Sequence, residues 1–111
     1  MRKELIDALP ESISIEANWE TRDVQINGEY LDPRPSQRIA NHSPDGFNWS
    51  YGGSGPAQLA LSICMKFLPL EEAQSVYQSF KFSTVAGWPK TDLQIVLNFK
   101  EEIKKILATR E

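Results

Sequence analysis

Read as a string of apolar and polar positions, the chain divides into an extended first half and a helical second half. In "SISIEANW" the apolar residues Ile13, Ile15, Ala17 and Trp19 alternate with polar ones, the period of a short strand. "DVQINGEYLD" sets two short runs on either side of Asn27-Gly28. A type I′ turn needs positive φ at both central positions, and Asn-Gly tolerates that best, so a β-hairpin is predicted. "FNWSY" alternates again, Phe47, Trp49 and Tyr51 against Asn48 and Ser50, and predicts a strand over 47–51 with one buried aromatic face. Between hairpin and strand, "DPRPSQRIANHSPD" carries three prolines, which exclude a central strand and predict a long surface loop over 32–45.

The remaining segments read at helical period. Leu5, Ile6 and Leu9 suit a short helical turn that ends before Pro10. Pro56 fits the first position of a helix, where its missing N–H would be unpaired anyway, and Gln58 stands three residues after Gly55 as in a capping box. "PAQLALSICMKF" is apolar on nearly every side, so a helix over 56–67 is expected at the centre of the core. Ala73, Val76, Tyr77 and Phe80 give an amphipathic helix over about 71–82, which "AGWPK" breaks. Thr91 and Gln94 read as a second capping box. It would open a last helix over about 92–108, with Leu93, Val96, Leu97, Ile103, Ile106 and Leu107 facing inward and Lys100, Lys104, Lys105 and Arg110 towards its C-terminus. The expected fold class is α+β. A small antiparallel sheet, made of the hairpin and strand 47–51, packs on the buried helix 56–67 and two further helices.

Composition narrows the class. With 111 residues, 41% hydrophobic and 24% charged, the chain suits one globular domain with one core and no large enclosed cavity. A net charge of −3 argues against general nucleic-acid binding. Cys64 is the only cysteine, so no intramolecular disulfide forms and a reducing compartment is expected. Asp7 and Pro10 interrupt the N-terminus where a signal peptide would be apolar, and no run approaches the roughly 20 apolar residues that span a bilayer. A cytoplasmic protein without membrane contact is expected.

The candidate chemistry centres on "YGGSGP". Gly52-Gly53-Ser54-Gly55-Pro56 matches the G-x-S-x-G nucleophile elbow until its last position, and His42 and Asp45 are the available base and orienter. That elbow belongs to a fold larger than this chain, and His42 is the only histidine, so the expectation is no enzyme. The competing reading is an anion cradle. A helix N-terminus offers unpaired N–H groups and a partial positive charge, and glycines at 52, 53 and 55 let a phosphate or carboxylate approach the backbone. Tyr51, Ser54 and Gln58 flank that site, with Arg34 and Arg38 available to supply charged donors. Neither the Walker loop nor the dinucleotide fingerprint is matched, because Pro56-Ala57 follows the last glycine and Gln58 stands where a further glycine would be needed. A single histidine and a single cysteine give no metal spacing, so no metal or other cofactor is expected. Asp23, Asp32 and Asp45 read as turn residues and Glu71-Glu72 as a first helical turn. Cys64 reads as an inert small hydrophobe, and Trp88 as a lid over the core or an exposed anchor.

From His42 to Ile63 the run "HSPDGFNWSYGGSGPAQLALSI" resembles the signature of a small family of uncharacterised bacterial and bacteriophage proteins, frequent in prophages and mobile elements. The likeness extends over about Val24 to Leu107, through the hairpin ending in Leu31-Asp32, Phe80-Lys81 and the closing helix, leaving 1–23 as an extension to a core over 24–107. Ser50 departs from the pattern, which carries glycine there. The resemblance implies no established activity and transfers no catalytic residue. It implies a non-catalytic intracellular binding protein that inhibits or sequesters a host factor such as defence machinery. The alternative is a small-ligand binder holding an anion or nucleotide at 52–55. A homodimer stays open.

Overall fold

The computed structural model describes residues 1–110. The Asn27-Gly28 turn forms as its chemistry requires, with φ of 53° and 81°. It joins β2 (Val24–Ile26) to β3 (Glu29–Tyr30). Before them lie a short helix, α1 (Lys3–Asp7), and β1 (Ile13–Ala17). β1 is an inner strand of a four-stranded antiparallel sheet, with β2 and then β3 on one side and a fourth strand on the other. The N-terminal segment therefore supplies the middle of the sheet. Ile13, Ile15, Val24 and Ile26 are all buried, whereas Glu16 and Gln25, paired across the other face, are exposed.

The fourth strand is a correction to the sequence reading. Residues 92–108 do not form one helix. They split into β4 (Leu93–Leu97), paired with β1 from Ala17↔Leu93 to Ile13↔Leu97, and α5 (Phe99–Ala108). Val96, expected inside, is 71% exposed. The Thr91–Gln94 capping box does not form, since the Thr91 hydroxyl donates to the Asp92 carbonyl. The Asp92 carboxylate accepts the Trp19 N–H at 2.7 Å and ties the start of β4 to the end of β1.

A second correction concerns 47–51, which joins no sheet. Phe47 and Trp49 are buried as their alternation implies, but their backbone runs irregularly. Side chains take the place of ladder bonds here. Asn48 Oδ1 accepts the Trp49 N–H at 2.9 Å, and the Trp49 indole N–H reaches the carbonyls of Pro89 and Thr91. Ser50, at φ 81°, then turns the chain away.

The third correction lies in 32–45, where a short helix, α2 (Arg34–Ile39), replaces continuous loop. Its prolines sit at the helix start, where a missing N–H costs nothing. α3 (Ser54–Phe67) is the expected central helix, begun two residues early and buried from Gly55 to Cys64. Leu68-Pro69 joins it to α4 (Leu70–Ser83), which packs along it and ends in a single 3₁₀ turn, Val85–Gly87. Phe99 brings α5 onto both helices, its ring 5.2 Å from that of Phe67 and 5.8 Å from that of Phe80. The result is an α+β fold with the helices against one sheet face. Among the described residues no helix is long and apolar enough to cross a membrane.

Candidate functional site

The corner between Asn48 and Gly55 is built by what its glycines leave room for. Ser50 anchors it by donating its N–H to the Val85 carbonyl at 3.2 Å. A Cβ on Gly52 would stand 3.1 Å from Cε1 of Phe82, so the Phe82 ring lies against that glycine. A Cβ on Gly53 would collide with the Tyr51 ring, and one on Gly55 would stand 2.5 Å from Asn48 Cβ and 3.2 Å from the Asn48 backbone nitrogen. The glycines thus admit the protein's own side chains. The first turn of α3 closes with the Ala57 N–H on the Gly53 carbonyl, and Pro56 has no N–H to offer. Ser54, in that first turn, is exposed.

Two aromatic side chains stand out from this corner, Phe82 at 66% exposure and Tyr51 at 45%. Beside them Lys81 is buried, and its Nζ lies 3.9 Å from the centroid of the Phe82 ring. Among the described residues no carboxylate or hydrogen-bond acceptor takes that ammonium. A cation over an aromatic face gains attraction from the ring quadrupole. Ser50 Oγ is the one buried side-chain oxygen without a hydrogen-bond partner among the described residues.

Behind the corner runs a polar brace. Gln58, fully buried on α3, accepts the N–H groups of His42 at 2.8 Å and Ser43 at 3.0 Å through Oε1. Its Nε2 donates to Ser36 Oγ at 2.8 Å, and that hydroxyl donates to the Pro33 carbonyl at 2.8 Å. His42 Nε2 lies 2.8 Å from the Tyr77 hydroxyl. Gln58 therefore braces α2 and the following loop, and the expected capping box with Gly55 does not form. His42 is engaged by Tyr77, and no hydrogen bond joins it to Ser54 or Asp45 among the described residues.

A second brace reaches the corner from the β1–β2 connection. The Arg22 guanidinium lies 3.7 Å above the Trp19 ring and donates through Nε to Asn48 Oδ1 at 3.1 Å. Trp19 in turn meets Trp49 edge-on at 5.3 Å.

The structure sets Tyr51, Gly52, Gly53, Ser54 and Gly55 at one corner, and no hydrogen bond or salt bridge joins Arg34 or Arg38 to it among the described residues. Arg34 is held by the carboxylate of Asp32, with contacts of 2.7 to 3.0 Å, and those hydrogen bonds hold the Asp32 carboxyl down to about 2. Arg38 is exposed and has no hydrogen bond or salt bridge among the described residues. Two other cations reach the corner, Arg22 on Asn48 and Lys81 over the Phe82 ring, and Lys81 is the one without a hydrogen-bonded partner among the described residues. Its signal in the sequence was a lysine one helical turn after Tyr77, inside the stripe of Ala73, Val76 and Phe80 that α4 buries. No group of histidine, cysteine, aspartate and glutamate able to hold a metal occurs among the described residues.

The chain belongs to a family of unknown function, DUF6166, matched over residues 17–109. No curated protein and no solved structure matches it.

Proposed function

We propose that this chain is a non-catalytic binding protein that covers a surface of another protein, with the Tyr51–Phe82 corner at the centre of the contact. The observation that carries this is the exposure of two large aromatic side chains against adjacent glycines, on a backbone fixed by the Gln58 and Arg22 braces. Aromatic anchors held in place before binding lose little entropy on association, which is why such residues dominate interface energetics. The engagement of His42 by Tyr77 speaks for binding over a serine hydrolase. The likeness to prophage and mobile-element proteins suggests a partner in the host cell, with occlusion of a defence component as the biological role. The test is affinity capture from bacterial lysate with the wild-type chain and with Tyr51→Ala/Phe82→Ala. A partner that is held by the first, lost by the second, and then bound directly in purified form supports the proposal. A partner retained equally by both removes the corner from it.

Lys81 favours a second reading, an anionic small-molecule ligand beside Gly52. A ligand that binds only the folded chain would add about 2.7 kcal/mol of stability at a hundredfold excess over Kd. Thermal shift with phosphate and with nucleotides, repeated on Lys81→Met, tests it. A shift of equal size in both proteins, or none in either, sinks this reading.

A further inference from the structure

The two edges of the sheet are not alike. β3 closes one edge with only two residues, and Lys66 lies 3.2 Å from the carboxylate of Glu29 there. Short edges of that kind resist further pairing. β4 forms the other edge with five residues, "LQIVL", containing neither a charge nor a proline. Its register with β1 runs without a bulge, and Val96 in it is 71% exposed, so charge, proline and bulge are all missing as protection.

The direction of its backbone groups follows from β1. The Ser14 carbonyl accepts the Asn27 N–H, so Ser14 and Glu16 turn their backbone groups towards β2, and Ile13, Ile15 and Ala17 turn theirs towards β4. Leu93, Ile95 and Leu97 are then bonded to β1. Gln94 and Val96 present their N–H and C=O groups at the open edge. Both side chains are exposed on the outer sheet face, while Ile95 and Leu97, on the inner face, remain only half covered.

We infer that this edge pairs with β4 of a second copy, antiparallel, about a twofold axis at Ile95. The sequence is self-complementary in that register. Gln94 of each copy meets Val96 of the other and exchanges both backbone bonds with it, which satisfies the open groups of both strands. On the inner face Ile95 meets Ile95 and Leu93 meets Leu97, so the half-covered side chains continue the core across the axis. At the strand ends Asp92 meets Asn98, so no like charges face each other. The product is an eight-stranded sheet whose remaining edges are the two short β3 strands. This contact lies on the sheet edge and is independent of the partner proposed for the corner.

Sedimentation of the full chain over a wide concentration range tests the inference, with two variants chosen to spare the fold. Val96→Pro removes a donor that points away from β1, a position where strand prolines are tolerated. Gln94→Lys/Val96→Lys places like charges opposite each other across the axis, while the new ammonium at position 94 gains Glu16 as a neighbour within its own sheet. The expected result is a dimer for the wild type and monomers for both variants, with unchanged far-UV circular dichroism and denaturation midpoints. Hydrogen exchange gives a separate reading. The Gln94 and Val96 amides should gain protection with concentration, whereas the Ile95 amide is protected throughout. A wild type that stays monomeric, or a dimer that persists in the double-lysine variant, overturns the inference. A dimer with freely exchanging Gln94 and Val96 amides overturns it equally.

Discussion

The ring of Tyr51 occupies the space that a side chain on Gly53 would need. The next glycine has a different neighbour, since Gly55 faces the Cβ and backbone nitrogen of Asn48. The two positions should respond differently to the same substitution. Gly53 has φ of −96°, open to any residue, and the clash there falls on a half-exposed side chain rather than on backbone. Gly53→Ala should therefore cost less than about 1 kcal/mol while displacing Tyr51. Gly55→Ala pushes on backbone that cannot retreat and should cost about 2 kcal/mol, the usual scale of overpacking. Urea denaturation measures both. Equal losses at the two positions would contradict this account of the corner.

Gln58 has no solvent to fall back on. Substitution by leucine removes one donor and one doubly used acceptor, and strands the His42 and Ser43 amides. Each buried group left unpaired costs about 1–3 kcal/mol, so Gln58→Leu should lose about 3 kcal/mol in total. The loss should be local in origin. Amide exchange at His42 and Ser43 is expected to accelerate well beyond that of the α3 core, and uniform acceleration would show that the brace is not the cause.

The parts of this fold that were legible in the sequence are those decided by local chemistry. Asn27-Gly28 demands its turn, and "PAQLALSICMKF" has no face fit for water. The segment 93–97 reads as helix from sequence because "LQIVL" satisfies two periods at once. Leu93, Val96 and Leu97 sit at helical spacing, while Leu93, Ile95 and Leu97 sit at strand spacing. The unpaired side of β1 decides between them, and nothing near residue 93 announces that strand. "FNWSY" failed for a related reason. Alternation reported which side chains are buried, but pairing needs a neighbour, and the Trp49 indole found carbonyls at Pro89 and Thr91 instead. At the corner, the helix start was visible in Pro56. That the glycines make room for Tyr51 and Phe82 depends on where α4 lies, which no single segment encodes.

Ser50 carries two costs that one substitution removes. Its φ of 81° is a region that L-residues rarely adopt, and its hydroxyl is buried without a partner. Glycine adopts that φ freely and has no hydroxyl to bury. Against this stands the greater entropy that glycine loses on folding, roughly 0.5–1 kcal/mol. The net expectation for Ser50→Gly is a gain of about 1 kcal/mol, near 4 °C in melting temperature for a domain of this size. Ser50→Ala relieves only the hydroxyl and should gain less. If alanine stabilises as much as glycine, backbone strain is not what the serine costs.

Cys64 turns burial into a pH dependence whose sign can be fixed in advance. Its side chain is fully buried in α3, and burial pushes the thiol pKa far above the usual range. The unfolded chain releases this proton near the ordinary thiol pKa, about 8.5, and the folded chain keeps it. Above that pH the unfolded state binds fewer protons, so stability falls as pH rises, by at most about 1.4 kcal/mol per unit from this group. Below that pH the group contributes no slope. Urea denaturation at roughly pH 8 and pH 10 should show the decline, and Cys64→Ala should show a shallower one from a lower starting stability. Because only the thiolate attacks alkylating reagents, iodoacetamide should label the native protein no faster than the chain opens. Rapid labelling without denaturant, on a protein that still melts cooperatively, would mean that α3 is not the closed core its sequence and packing describe.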